Sequence, residues 1–121
     1  MILKKINNGI NKIKLNNKSI NIINVNFNFK KIFDKITNKS NNYIKECFDI
    51  ALNLLKTKYA YALINGPISK KHFLKKKQVG ITEYLSLKTK VKNNGTMLIY
   101  NSNFSVCPIT THLPINSVSK S

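Results

Sequence analysis

Tyr59-Ala60-Tyr61-Ala62-Leu63-Ile64-Asn65-Gly66-Pro67 is the stretch on which the fold turns. An apolar run this short, flanked by breakers, reads as a buried strand, and Asn65-Gly66-Pro67 halts it. Immediately before it, Ile44, Cys47, Phe48, Ala51, Leu52 and Leu55 recur at helical spacing within Ser40 to Lys58. They form one continuous apolar stripe, and Ser40, Asn41 and Asn42 offer capping side chains at its start. A helix followed by a short apolar strand and a Gly-Pro turn marks an α/β fold. Ligands in open α/β sheets bind beyond the carboxyl ends of strands, so the turn Asn65 to Lys70 is where a functional loop is expected. Lys70 lies nearest the strand end and is the candidate anion partner. The glycine spacing of a phosphate-binding P-loop is missing.

Outward from that stretch, Ser69 to Gln78 reads as a basic helix capped by Ser69 and docked by Phe73 and Leu74. Gly80 supplies a turn, and Thr82 caps a short helix running to about Lys88. Asn93-Asn94-Gly95 is a tight turn; Thr96 to Tyr100 and Phe104 to Ile109 form a hairpin in which Pro108 limits the second strand. Pro114 falls near the first position of a further helical turn. On the other side, Ser19 to Val25 is β-branched and reads as a strand. Asn26 to Lys39 has no strong period and reads as an irregular connection with buried aromatic anchors; Phe27 and Phe29 could equally form a base-stacking platform. Residues 1–18 are rich in lysine and asparagine, with apolar spacing compatible with a frayed helix or a short strand. A poorly ordered basic start at 1–18 and one domain over 19–121 are expected.

Composition narrows the partners. The 121 residues carry a formal charge of +17 with 42% hydrophobic residues, a globular balance. All 21 basic residues are lysine, although arginine dominates direct base readout. An Arg-free sequence rich in Lys, Asn and Ile matches the product of an AT-rich genome, which argues against nucleic acid as the main partner. The competing reading is a basic module whose lysines between Lys70 and Lys77 contact RNA or DNA phosphates. The start lacks the apolar core of a secretory signal and no apolar run could span a bilayer, so no membrane partner and a cytoplasmic location are expected. Cys47 and Cys107 read as small buried hydrophobes rather than a disulfide pair.

Near the end, Thr110-Thr111-His112-Leu113-Pro114 holds one of two histidines where a strand gives way to a loop. A histidine there can be a metal ligand, an acid, a base or an anion partner. The sequence also offers Asn41 and Tyr43 with Ala51, then Ala62 to Lys70, then Gly80-Ile81-Thr82-Glu83-Tyr84-Leu85. In this order and spacing these pieces resemble the 4-hydroxythreonine-4-phosphate dehydrogenase family, over residues 19 to the end. The Gly-Pro-x-x-Lys and Thr-Thr-His-Leu-Pro pieces are specific as a pair.

The resemblance implies a partial three-layer α/β/α fold like that of isopropylmalate dehydrogenase, in a homodimer. It implies an enzyme that uses NAD or NADP and a divalent metal (Zn, Mg or Co) to oxidise and decarboxylate 4-phosphooxy-L-threonine. The product is 3-amino-2-oxopropyl phosphate, in pyridoxal phosphate biosynthesis. His112 would be one of three metal-binding histidines, the metal acting as a Lewis acid on the substrate oxygen. Thr82 would bind the phosphorylated substrate from a helix N-terminus, with Lys70 as a further substrate contact. Two departures stand out. Ile81 occupies the place of the family's usual substrate-binding histidine, which opens the way to another phosphorylated hydroxy acid. The family's Gly-Asp-Pro-Ala-Gly motif and the other two metal histidines are absent, and His72 matches no family ligand. The expectation is an internal piece of the enzyme, inactive alone.

Overall fold

The computed structural model describes residues 3–6, 15, 17–74, 80–90, 95–110 and 113–120, the first four as backbone only. It is mixed α/β. The chain divides into two compact units, Met1–Phe73 and Leu74–Ser121.

In the first unit, strand β1 (Leu3–Ile6) pairs in parallel with β2 (Ile20–Ile23), Leu3 opposite Ile20 and Ile6 opposite Ile23. β2 is the strand expected within Ser19 to Val25; its β-branched isoleucines suit a pleated surface. Residues 24–37 form an irregular connection, as expected, but not a buried one. Phe29, Ile32, Phe33 and Ile36 are all exposed. Phe27 stacks against Phe29 at 6.3 Å and meets Tyr43 of the following helix at 5.0 Å. With no regular period, the segment has no face that one neighbouring element could cover.

A 3₁₀ turn, Asn38–Ser40, leads into the long helix α1, Asn41–Lys56. The expected capping by Ser40, Asn41 and Asn42 is corrected: Ser40 is already helical and makes no side-chain cap. Thr37 caps instead, its Oγ1 accepting from the Lys39 N–H at 3.3 Å. The apolar stripe faces inward as its spacing dictates, with Phe48 buried and Ile44, Cys47, Ala51, Leu52 and Leu55 half-buried. α1 ends in a Schellman motif. The Tyr59 N–H donates to the Leu54 carbonyl (3.0 Å) and the Lys58 N–H to that of Leu55 (3.2 Å), with Lys58 in the left-handed region at φ 61°.

Tyr59 to Ile64 is not a strand. It runs on from α1 without ladder partners, leaving Tyr61 and Ile64 almost fully exposed. A buried strand needs neighbours on its edges and faces, and no described strand pairs with this run. One helical turn follows, α2 (Lys70–Phe73), ending at Leu74. Phe73 and Leu74 are buried, as the docking reading required, and the Phe73 ring lies 6.0 Å from that of Phe48. The remainder of the expected basic helix, including Lys75 to Lys77, lies outside the described residues.

In the second unit, α3 spans Ile81–Thr89 and buries Tyr84. Its N-cap is Gly80, not Thr82, and Lys90 closes it in the left-handed region at φ 56°. The hairpin forms in reduced length: β3 (Ile99–Tyr100) lies antiparallel to β4 (Ser105–Val106), with Ile99 opposite Val106. The Asn103 N–H donates to Asn101 Oδ1 at 3.0 Å to shape the turn. β4 stops two residues before Pro108. Cys107 is exposed, contrary to the buried reading, because no described element covers either face of this two-stranded ribbon; Cys47 is half-buried, and both cysteines are free. Ile115–Lys120 is a 3₁₀ helix entered from Pro114, whose carbonyl accepts from the Ser117 N–H at 2.8 Å. No described helix is long and apolar enough to cross a membrane.

Candidate functional site

Thr82 occupies the first turn of α3 with its side chain exposed. It sits two residues past the cap, Gly80, in the turn whose first N–H groups have no partner within the helix. Glu83 folds back over this end. A Cβ on Gly80 would stand 2.8 Å from its carboxylate oxygen, so glycine is what lets that carboxylate approach. A negative side chain in the first turn suits the helix dipole. It also means that an anionic ligand at Thr82 meets Glu83 as a competitor for the same end. Further along α3, Ser86 Oγ donates to the Thr82 carbonyl at 2.9 Å and accepts from the Gly95 N–H at 3.0 Å. A Cβ on Gly95 would run into Ser86 Oγ, which would have to rotate out of its two hydrogen bonds to make room.

Lys70 is the first residue of α2 in the other unit, and it is exposed. The turn before it is open: nothing stands near the place where a Cβ on Gly66 would project. Thr111 and His112 lie outside the described residues; Thr110 and Pro114 bracket them.

The polar arrangement around α2 is tighter than its sequence suggests. One face of Leu63 to Phe73 and the apolar stripe of α1 enclose a cleft of about 530 Å³. Into this lining come Asn41, Ser69 and His72. Asn41 is only 7% exposed, and its Nδ2 donates to the His72 carbonyl at 2.9 Å. That bond fixes the orientation of the amide, because a flip would set oxygen against oxygen. Ser69 Oγ and His72 Nδ1 share a hydrogen bond of 2.8 Å, and the Ser69 carbonyl accepts from the N–H groups of His72 (3.2 Å) and Phe73 (2.9 Å). On the same side of α1, Tyr43 lies one helical turn from Cys47. A hydrogen bond with that thiol, then repulsion from its charge, then burial raise the phenol above its ordinary value of 10.0.

The sequence alone offers Asn41 as a cap and places His72 on the basic helix, matching no family ligand. The spacing of Ser69 and His72, first cap and third residue of a helix, was the available signal for their pairing. Nothing in the sequence announces that Asn41 reaches a carbonyl 31 residues away. Among the described residues, no three His, Cys, Asp or Glu side chains converge in a way that could hold a metal ion.

No curated protein and no solved structure matches the chain. A match to the family described as "Pyridoxal phosphate biosynthetic protein PdxA" extends over residues 2–121. That is nearly every residue, and it contains the Gly-Pro turn before Lys70, the Gly80 to Leu85 segment at the head of α3, and Thr110 to Pro114. The chain therefore belongs to the PdxA family, the 4-hydroxythreonine-4-phosphate dehydrogenases, an oxidoreductase family of pyridoxal phosphate biosynthesis.

Proposed function

We propose that this chain carries part of the substrate site of an NAD- or NADP-dependent, metal-requiring dehydrogenase that acts on 4-phosphooxy-L-threonine. The observation that supports it best is the family match over residues 2–121, with Thr82 exposed in the first turn of α3. In this reading the Thr82 hydroxyl and the α3 N-terminus hold an anionic group of the substrate; Lys70, in the other unit, is proposed on its own position as a further substrate contact. Anion binding at Thr82 requires the Glu83 carboxylate to swing away from Gly80, which its flexible side chain permits. His112 is proposed as a ligand of the divalent metal (Zn, Mg or Co). Such a metal would polarise the substrate hydroxyl and then the new carbonyl. The described residues supply no metal-holding group by themselves, so the roles derived for this chain are binding and orientation.

A homodimer on an isopropylmalate-dehydrogenase-like, three-layer scaffold belongs to the same proposal, as does a cytoplasmic location. Ile81 favours a second substrate within the class. An isoleucine at the start of α3 offers no hydrogen bond where the family uses histidine, so another phosphorylated hydroxy acid would lose less there. With His72 the only histidine besides His112, the 121-residue chain cannot assemble three histidines. The purified chain is expected to show no NAD or NADP reduction with 4-phosphooxy-L-threonine and divalent metal. Turnover above the protein-free rate would refute the three-histidine assignment.

A further inference from the structure

We propose that His72 is a positioning residue, whose ring braces the single turn of α2 against Ser69 and, together with the tie from Asn41 to the His72 carbonyl, fixes the turn that presents Lys70. The inference rests on the reading of Lys70 as an anion partner of the substrate.

α2 is a single turn, Lys70–Phe73. One turn of helix does not hold itself in water, because nucleation fixes several residues for one hydrogen bond. Something outside it must supply the stability. Phe73 supplies the apolar part, buried at 5% exposure with its ring 6.0 Å from Phe48. This contact anchors the end of the turn but leaves its beginning free to rotate. The beginning is held through His72. Its carbonyl, an end group with no helical partner of its own, receives the Asn41 Nδ2 at 2.9 Å. Its ring Nδ1 reaches back to Ser69 Oγ at 2.8 Å. Ser69, His72 and Phe73 thus share the inner face of the turn and line the cleft, while Lys70 and Lys71 are exposed. The direction in which Lys70 leaves the backbone is set by Ser69 before it and His72 two residues after it, which are hydrogen-bonded to each other. Asn41 is itself buried and orientationally fixed, so the tie has a rigid far end.

The experiment uses the purified 121-residue chain, backbone amide exchange at His72 and Phe73, and titration with inorganic phosphate followed at the Lys70 amide by NMR. His72→Leu removes the ring bond and is expected to accelerate exchange at residues 72 and 73 about fivefold, the equivalent of one ordinary hydrogen bond. Phosphate binding at Lys70 should weaken by a similar factor. His72→Asn places an amide oxygen or nitrogen where Nδ1 stands and is expected to restore both. His72→Gln places it where Nε2 stands and is expected to restore neither. Amides in the middle of α1 serve as the reference: equal acceleration there means general destabilisation and overturns the proposal. So does a His72→Leu chain that exchanges as the unsubstituted one does, or a failure of His72→Asn to rescue. Lys70→Gln tests the underlying reading separately. If it leaves phosphate binding unchanged, Lys70 is no anion partner, and exchange with rescue by asparagine alone decides whether the clasp exists.

Discussion

Tyr43 shows how one side chain records its surroundings. Its phenol is held above the ordinary value of 10.0 by the hydrogen bond with Cys47, by repulsion from that sulfur, and by partial burial. All three favour the protonated ring in the folded chain. The folded value therefore exceeds the unfolded one. The stability this contributes is fully present below about pH 10 and is lost as pH rises through the folded value. Urea unfolding of the unsubstituted chain should show a decline above about pH 10 that is shallower in Tyr43→Phe. Equal slopes in the two chains would contradict the coupling to Cys47. At the same scale, Asn41 carries more than a cap would: one amide, buried and fixed, connects the head of α1 to the end of α2.

The elements that formed as expected are those whose cause is local. α1 was legible because its stripe of Ile44, Cys47, Phe48, Ala51, Leu52 and Leu55 is an intrinsic period, and period alone orients a helix. Its exact end was not. Lys58 takes the left-handed position after α1 that glycine normally fills. A lysine there carries the strain of its Cβ, so Lys58→Gly should stabilise the first unit by about 0.5–1 kcal/mol. Urea midpoints measure it, and a destabilised glycine variant would show that the lysine stem packs usefully. Tyr59 to Ile64 failed as a strand for the opposite reason. Its apolar run is compatible with burial, but burial of a strand is conferred by neighbours that no local pattern encodes. The clasp of Asn41, Ser69 and His72 was invisible for the same cause, since its partners are distant in sequence. Of the candidate site, Lys70 and Thr82 fall at helix starts much as their motifs suggested, and His112 lies outside the described residues.

At the scale of the whole molecule, few large apolar side chains are buried: among the described residues, Phe48, Phe73, Leu74 and Tyr84. Against them stand exposed isoleucines, phenylalanines and tyrosines in both units. Where such side chains adjoin, they would favour meeting another surface, as the homodimer proposed above would provide. The lysine surplus acts over longer range. A charge of +17 keeps copies of the chain apart in dilute salt whatever its biological partner.

The short hairpin gives this balance a colloidal consequence. From Gly95 to Ser119 the sequence contains no lysine, aspartate or glutamate, so its strands lack the charged gatekeepers that blunt an open edge. Among the described residues β3 and β4 pair only with each other, and both are exposed. What prevents further strands from adding is the repulsion of lysines elsewhere in the chain, and that repulsion is screened beyond about 10 Å at 0.1 M salt. Solubility should therefore fall as salt rises, with light scattering growing between low and near-molar sodium chloride. Tyr100→Lys, which places a charge on the exposed ribbon, should delay the rise; scattering that is insensitive to salt would rule this out. The hairpin is a sticky edge on a repulsive particle, and ionic strength decides which property governs.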